Sequence, residues 1–283
     1  MEMTDMRGLD MLYDALGKKI FNGGVAFGMG INDVYSVDVA AHMGFDWFLI
    51  DHMFSPTDWS ETDRLIRAGW AAGITPVLRV QSNPWIGYDP RIAVDVTRAL
   101  GIGAQYVLVS NSGKREIEDC VKVAGDWHRK ATWVHPFDRL EDWEPRREQL
   151  ISKTQIIPQP ESEGALADLL ETLDIPQVRV VFIGMSDASR VLSGTEQPDW
   201  YSEKLWDLVD SAVAKANQSG KVIGGNPSYA YGMDEFVKRT VRLIDHGVRM
   251  ILLQGMPHMF QSSMKDFWGT IQNHVEERGL GKA

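Results

Sequence analysis

The sequence is poor in cysteine and has no long apolar run. Cys120 is the only cysteine among 283 residues, which excludes a disulfide framework and a cysteine-rich zinc site. No apolar stretch reaches the roughly 18 residues that span a membrane. The first residues, MEMTDMRGLDML, lack the basic and apolar regions of a signal peptide. We therefore expect a cytoplasmic protein with no membrane partner.

Positive charge is scarce as well. The chain has 29 Lys and Arg against 39 Asp and Glu, a formal net charge of -10. A general nucleic-acid binder needs a basic face, and no basic cluster interleaved with aromatic residues is present, so we expect no nucleic-acid partner. No GxSxG motif supports a serine hydrolase, and neither glycine-rich stretch is a P-loop.

Apolar segments rich in β-forming residues recur along the chain. Eight of them are continuous apolar runs, as expected for parallel strands buried on both faces: 25–30, 47–52, 75–80, 106–111, 154–161, 178–184, 221–226 and 249–255. Segments with apolar residues at helical spacing lie between them, among others 57–72, 114–127, 162–173 and 234–246. The pattern predicts alternating strands and helices.

The predicted fold is an α/β protein, a single (β/α)8 TIM barrel domain over residues 1–283. A long insert of loop plus helix, roughly 127–153, separates the fourth and fifth strands. A C-terminal helix, 261–283, carries an apolar face. A doubly wound open sheet is the alternative, but the first strand lacks a GxGxxG turn and eight βα units favour closure.

Polar side chains stand where the predicted strands end. In a parallel α/β fold these ends line the functional site. The residues concerned are Asp51, His52, Arg79, Asn111, Glu161, Asp187, Asn226 and Gln254. A polar group after nearly every strand indicates a site.

Two of these residues, Glu161 and Asp187, follow consecutive strands. Neighbouring strands lie about 4.8 Å apart, so both carboxylates are candidates to bind one hard divalent cation. Mg²⁺ takes one or two protein carboxylates and completes its shell with water and substrate oxygens. The alternative is that both acids are helix N-caps, because each precedes a helical segment.

Arg79 and His52 are the candidate groups for acid–base and electrostatic work. The Arg79 guanidinium can bind a carboxylate or keto oxygen and stabilise negative charge on it, or simply pair with a neighbouring acid. His52 is the first candidate for a general base, with Asp51 beside it. Adjacent strand residues point to opposite faces, however, so Asp51 and His52 are not expected to share one face. His135, in the insert, is a further candidate.

Five segments in the order of the chain resemble the HpcH/HpaI aldolase family. They are GFDWFLID (44–51), PVLRV (76–80), GAQYVLVS (103–110), QPE (159–161) and VFIGMSD (181–187). The resemblance covers about residues 23–260. It implies a metal-dependent class II lyase of 2-oxo acids in the phosphoenolpyruvate/pyruvate (β/α)8 barrel superfamily.

The resemblance also implies roles for individual residues. Glu161 and Asp187 match metal ligands for Mg²⁺, alternatively Mn²⁺ or Co²⁺, and Arg79 matches the arginine that stabilises the pyruvate enolate. Gln159 matches a site glutamine, and Asp51 the aspartate that ends the second strand. The turn that holds the substrate carboxylate is matched by Gly184, Met185 and Ser186, although the family usually has proline at the Met185 position. A homo-oligomer, a trimer or hexamer with the 261–283 helix exchanged between subunits, is implied as well.

The chain departs from the family at the proton-transfer residues. Phe54 stands where the family has histidine, and Gly101 where it has the aspartate partner of that histidine. Three outcomes therefore stay open. Another group, such as His52, His135 or a metal-bound water, performs the proton transfer. The chain catalyses other enolate chemistry, as a synthase, decarboxylase or hydrolase. Or it binds a small carboxylate without turnover.

Overall fold

The computed structural model describes residues 15–80, 89–130, 153–227, 232–253 and 255, together with 260–261, 264–265, 269–273 and 277–278. Eight parallel strands alternate with helices in a nearly closed barrel, which confirms the predicted (β/α)8 fold. The strands are β1 Ala26–Gly30, β2 Trp47–Asp51, β3 Thr75–Val80, β4 Tyr106–Ser110, β5 Gln155–Gln159, β6 Val180–Ile183, β7 Val222–Gly225 and β8 Met250–Leu252. Each lies within one of the eight apolar runs.

Helices cover the outside of the barrel, and one precedes it. They are α1 Ala15–Phe21, α2 Val34–His42, α3 Trp59–Ala72, α4 Arg91–Gly101, α5 Lys114–Lys130, α6 Glu163–Ala167, α7 Leu169–Thr172, α8 Met185–Ser193, α9 Glu203–Gln218 and α10 Met233–Asp245. No helix in the described part of the chain is long and apolar enough to cross a membrane.

The predicted helix 162–173 is two short helices, because the chain turns at Asp168 between them. The Asp168 carboxylate accepts a hydrogen bond of 3.1 Å from the backbone N–H of Lys114, the first residue of α5. The other compared helices begin and end within three residues of their predicted bounds. The first residues of the predicted insert, 127–130, form the end of α5, and residues 131–152 lie outside the described part of the chain.

The hydrophobic core has two parts, one between sheet and helices and one inside the barrel. The inner part contains Trp47, Tyr106 and Phe182, together with Leu16 and Ile20 of α1. Because Trp47 and Tyr106 begin their strands, this filling closes the amino-terminal end of the barrel. Gly28 is required here, since a Cβ at this position would overlap the Trp47 ring.

The hydrogen-bonded strand order is β5-β4-β3-β2-β1-β8-β7-β6. Strands β5 and β6 therefore stand at the two ends of the ladder and lie beside each other where the barrel closes. The registers of the described pairs bring residues at or next to the ends of neighbouring strands to one level, for example Asp51 beside Arg79 and Ser110 beside Gln159. The polar strand ends consequently collect at one end of the barrel.

Candidate active site

A cavity of about 370 Å³ opens at the carboxyl ends of the strands. This is the end of a (β/α)8 barrel that carries active sites in essentially all characterised enzymes with this fold. Its lining includes four charged and three amide side chains, which are Asp51, Arg79, Glu161, Asp187, Asn32, Gln159 and Asn226. The structure thus brings together polar residues from six strand ends.

Asp51 and Arg79 form a two-point ion pair on neighbouring strands. Arg79 Nε donates to Asp51 Oδ1 at 2.9 Å, and Arg79 Nη2 donates to Asp51 Oδ2 at 2.5 Å. Both side chains are largely buried. Asp51 Oδ1 also accepts the backbone N–H of Met53 at 2.9 Å. Two parallel bonds fix the plane of the guanidinium, which directs Nη1 toward Gln159 Oε1 at 3.5 Å.

Gln159 connects Arg79 to Glu161 through an amide whose orientation is fixed. The Ser110 hydroxyl donates to Gln159 Oε1 at 2.7 Å, and Gln159 Nε2 donates to Glu161 Oε1 at 2.8 Å. Because Oε1 receives the hydroxyl, the amide N–H₂ must face the carboxylate. A continuous polar chain therefore runs from Asp51 through Arg79 and Gln159 to Glu161.

Glu161 is a carboxylate held almost entirely out of water, with 8% of its surface exposed. Burial raises the pKa of its carboxyl to about 7. Arg79 and the hydrogen bond from Gln159 oppose the rise, and the negative charges of Asp187 and Asp51 add to it. Gly184 lies against this carboxyl, and a Cβ there would overlap it. The chain thus places an acid where its charged form is poorly compensated.

Asp187 lies in the first turn of α8 and is about half exposed. Its Oδ1 is 3.5 Å from Arg190 Nη2, one turn further along the same helix. Gly184 is the N-cap of this helix and lines the cavity together with Ser186. The Met185 side chain is buried in the core, and its backbone N–H donates to Asn226 Oδ1 at 3.2 Å. Of the three turn residues proposed from the sequence, Gly184 and Ser186 therefore face the cavity.

The structure contradicts the alternative that Glu161 and Asp187 are helix N-caps. The N-cap residues of α6 and α8 are Ser162 and Gly184, so neither Glu161 nor Asp187 caps a helix. Within the described ranges no group of three or more His, Cys, Asp or Glu side chains forms a metal cluster. Two hard carboxylates facing one cavity, one of them buried and under-compensated, still fit a divalent cation that keeps water or substrate ligands.

Comparisons with known proteins show similarity to aldolases. No family model matches the sequence. A 2-dehydro-3,6-dideoxy-6-sulfogluconate aldolase from Pseudomonas putida is 26% identical over 202 residues, which are 68% of this chain and 74% of that protein. A 4-hydroxy-2-oxo-heptane-1,7-dioate aldolase from Klebsiella pneumoniae is 24% identical over 233 residues, 76% of this chain and 78% of that protein.

Solved structures show the same fold. An HpcH/HpaI aldolase from Desulfitobacterium hafniense DCB-2 has a TM-score of 0.73 at 19% identity, covering 91% of this chain and 96% of that one. The citrate synthase SbnG has a TM-score of 0.72 at 18% identity, covering 92% and 98%. The resemblance to the HpcH/HpaI aldolases is confirmed. At these identities the chain is a divergent relative.

The two departures from the HpcH/HpaI pattern lie in different places. Phe54 lines the cavity, with its ring 5.1 Å from Arg79 Cζ and 75% of its surface exposed. Gly101 ends α4, and the space at its Cα faces the Trp127 ring. Neither position supplies an acid or a base. His135 and Gln254 lie outside the described residues.

His52 points away from the cavity, in contrast to the role expected for it. Its Nε2 lies 2.6 Å from the Thr62 hydroxyl, and its ring packs edge-on against Trp59 at 4.5 Å, so it lies between β2 and α3. Thr62 donates its own proton to the Asp58 carbonyl, so His52 Nε2 is the donor to Thr62. Burial lowers the pKa of the His52 imidazole. Strand alternation explains the placement, because Asp51 takes the inner face.

The sequence predicts Asn111 as the site residue at the end of β4, whereas Ser110 is the residue that contacts the site, through its hydrogen bond to Gln159. Asn111 is outside the cavity lining and has a positive φ of 51°. Period-two alternation is the signal that identifies Ser110. Leu108 belongs to the core inside the barrel, and Ser110 follows two residues later on the same face.

Proposed function

We propose that this chain is a divalent-metal-dependent carbon–carbon lyase of the aldolase type that acts on a 2-oxo acid through a pyruvate-like enolate. One observation carries the proposal: a buried carboxylate, Glu161, and an oriented guanidinium, Arg79, meet in one cavity and are joined through Gln159. The aldolase relatives, matched over two thirds of the chain or more, support the reaction class.

Arg79 is proposed to stabilise negative charge on the keto oxygen. Three of its N–H groups are directed at Asp51 and Gln159, which leaves N–H groups on Nη1 and Nη2 for the substrate. A guanidinium fixed beforehand costs no reorganisation when the charge develops. Asp51 acts as the positioning residue because it sets the plane of the guanidinium.

Glu161 and Asp187 would hold the divalent cation, Mg²⁺ or alternatively Mn²⁺ or Co²⁺, which supplies Lewis-acid polarisation of substrate oxygens when bound. Gln159 keeps one Glu161 oxygen oriented by donating to it. We assign the substrate carboxylate to the start of α8, at Gly184 and Ser186, because a helix amino terminus favours an anion. The Met185 N–H is directed to Asn226 instead.

The second candidate function is binding of a small 2-oxo acid without turnover, or other enolate chemistry. The position of Phe54 favours it, because the described cavity lining contains no histidine to transfer a proton. His52 has no part in proton transfer in either proposal, since its ring faces α3. Binding without turnover differs from the lyase in that the bound 2-oxo acid keeps its proton.

The test is exchange of the pyruvate methyl protons with deuterium, followed by NMR in the presence of Mg²⁺, Mn²⁺ or Co²⁺. We expect exchange in the wild type, loss of exchange with EDTA, and loss in Glu161→Ala. Glu163→Ala is the matched control, because Glu163 is an exposed acid two residues further along. Pyruvate binding without exchange under all three metals would support the binding candidate and refute the lyase.

We also propose that the protein is a homo-oligomer, a trimer or hexamer in which 261–283 packs on a neighbouring copy. Met233, Val237 and Val241 support this proposal, since they share one face of α10 and each exposes about half of its surface, 49%, 51% and 48%. Light scattering should give a multiple of 31.8 kDa. Val237→Lys is expected to shift the mass toward one chain, and a monomeric wild type would contradict the proposal.

A further inference from the structure

Phe54 is an exposed aromatic ring at the cavity, whose lining combines charged and amide groups with apolar side chains such as Leu49 and Phe182. It lies three residues beyond the end of β2, and the face of its ring is turned to Arg79. The guanidinium that it faces is itself fixed by two bonds to Asp51. Three quarters of the Phe54 surface remains exposed, so an apolar surface of defined position faces whatever enters the cavity.

The charges around this ring are predominantly negative. Among the described residues of the lining, Asp51, Glu161 and Asp187 are acids and Arg79 is the base. Arg79 already directs two nitrogens at Asp51. Its remaining N–H groups suffice for one keto or carboxylate group, which the proposed function gives to the 2-oxo acid. With the proposed cation held by Glu161, Asp187 and the 2-oxo acid, a second carboxylate in the cavity would meet acids and no further described base.

On this basis, and resting on the proposed function, we infer that the carbonyl acceptor is an uncharged aldehyde with an apolar body that packs on the Phe54 ring. In the addition direction the pyruvate methyl carbon loses a proton and forms a bond to the aldehyde carbon, and the aldehyde oxygen gains a proton. The step needs neither an oxidant nor a reductant. Phe54 is then a specificity-determining residue, with an apolar surface in place of a proton-transfer group.

Two pairs of aldehydes test the inference, because each pair differs by one carboxylate. Butanal is compared with succinic semialdehyde, and benzaldehyde with 4-carboxybenzaldehyde, each added to pyruvate with Mg²⁺ or Mn²⁺. We expect kcat/KM to be at least about tenfold higher for the uncharged member of each pair, as expected for a buried group left without a partner.

The Phe54→Ala variant then tests the packing of the aldehyde on the ring separately from the effect of the aldehyde's charge. It should lower the benzaldehyde-to-acetaldehyde ratio of kcat/KM about two- to tenfold, the range for aromatic packing, while Phe54→Tyr should keep the ratio. Ratios within one variant cancel any general loss of activity. Tyr35→Ala is the matched control, because Tyr35 is an aromatic residue of α2, 85% exposed and outside the cavity lining.

Exchange of pyruvate protons in the absence of aldehyde tests the proposed lyase function separately from the inferred preference for uncharged aldehydes. Exchange together with equal use of charged and uncharged aldehydes, or with an unchanged ratio in Phe54→Ala, would overturn the inference and leave the lyase assignment standing. Absence of exchange and of addition would overturn both. Preference for the uncharged aldehydes that depends on Phe54 supports the inference.

Discussion

Replacing Gly184 with alanine tests whether Glu161 must occupy its position in the structure. The added Cβ would overlap Oε1, Cγ and Cδ of Glu161, each closer than the 3.0 Å that real Cβ contacts respect. The backbone is not the obstacle, since Gly184 has φ −75° and ψ 83° and its φ suits any L residue. The substitution therefore acts through the displaced carboxyl group.

The size of the effect follows from that displacement. The Glu161 carboxyl must move by about 1 Å or more, and a misplacement of this size costs up to about 100-fold in rate. This corresponds to about 2.7 kcal/mol of transition-state stabilisation. The hydrogen bond from Gln159 to Glu161 is lost at the same time. Overpacking should lower the free energy of unfolding by about 1–3 kcal/mol.

The assay measures Mn²⁺ affinity by calorimetry and the rate of pyruvate proton exchange, with urea unfolding as the measure of stability. Gly164→Ala is the control, because nothing lies within 4 Å of its added Cβ. It lies inside α6, where alanine is favoured over glycine by about 1 kcal/mol. Wild-type Mn²⁺ affinity and exchange in Gly184→Ala would refute both the clash and the ligand role of Glu161.

Three further predictions concern single side chains. His52→Gln should leave pyruvate exchange active. Because burial lowers the His52 pKa from 6.5, the free energy of unfolding of the wild type should fall as the pH drops below about 6.5. The fall should be smaller in the variant, and urea unfolding at pH 7.5 and 5.5 measures it. Ser110→Ala leaves Gln159 Oε1 with only the 3.5 Å contact from Arg79 Nη1. The variant should destabilise the fold by about 1–3 kcal/mol and slow exchange more than Ser112→Ala does; equal rates would contradict this. Burial raises the pKa of the Cys120 thiol to about 12, so a disulfide reagent should label it only after unfolding.

Much of the fold was predictable because each buried parallel strand gives a continuous apolar run in the sequence. All eight runs became strands, since a strand covered on both faces tolerates few polar residues. Helical spacing was less informative over 162–173. It carries no sign that Asp168 bonds to the Lys114 backbone, 54 residues earlier in the chain, and divides the segment in two.

The sequence predicted which residues are candidates for the site, and it did not predict the contacts between them. Strand ends and the family resemblance together named Arg79, Gln159 and Glu161 as candidates. Their connection depends on register, which places Ser110 beside Gln159 and so fixes the amide. Register between distant strands follows from packing of the whole barrel, which single motifs do not encode. The outward face of His52 was indicated by alternation alone.

The two candidate metal-binding carboxylates lie just after the two strands at the ends of the hydrogen-bonded ladder. Glu161 follows β5 and Asp187 follows β6, and the ladder runs from one to the other around the whole barrel. Their separation can therefore widen or narrow without breaking a ladder bond. For the proposed cation site we therefore expect loose metal selectivity, because the same two side chains can reach cations of different radius.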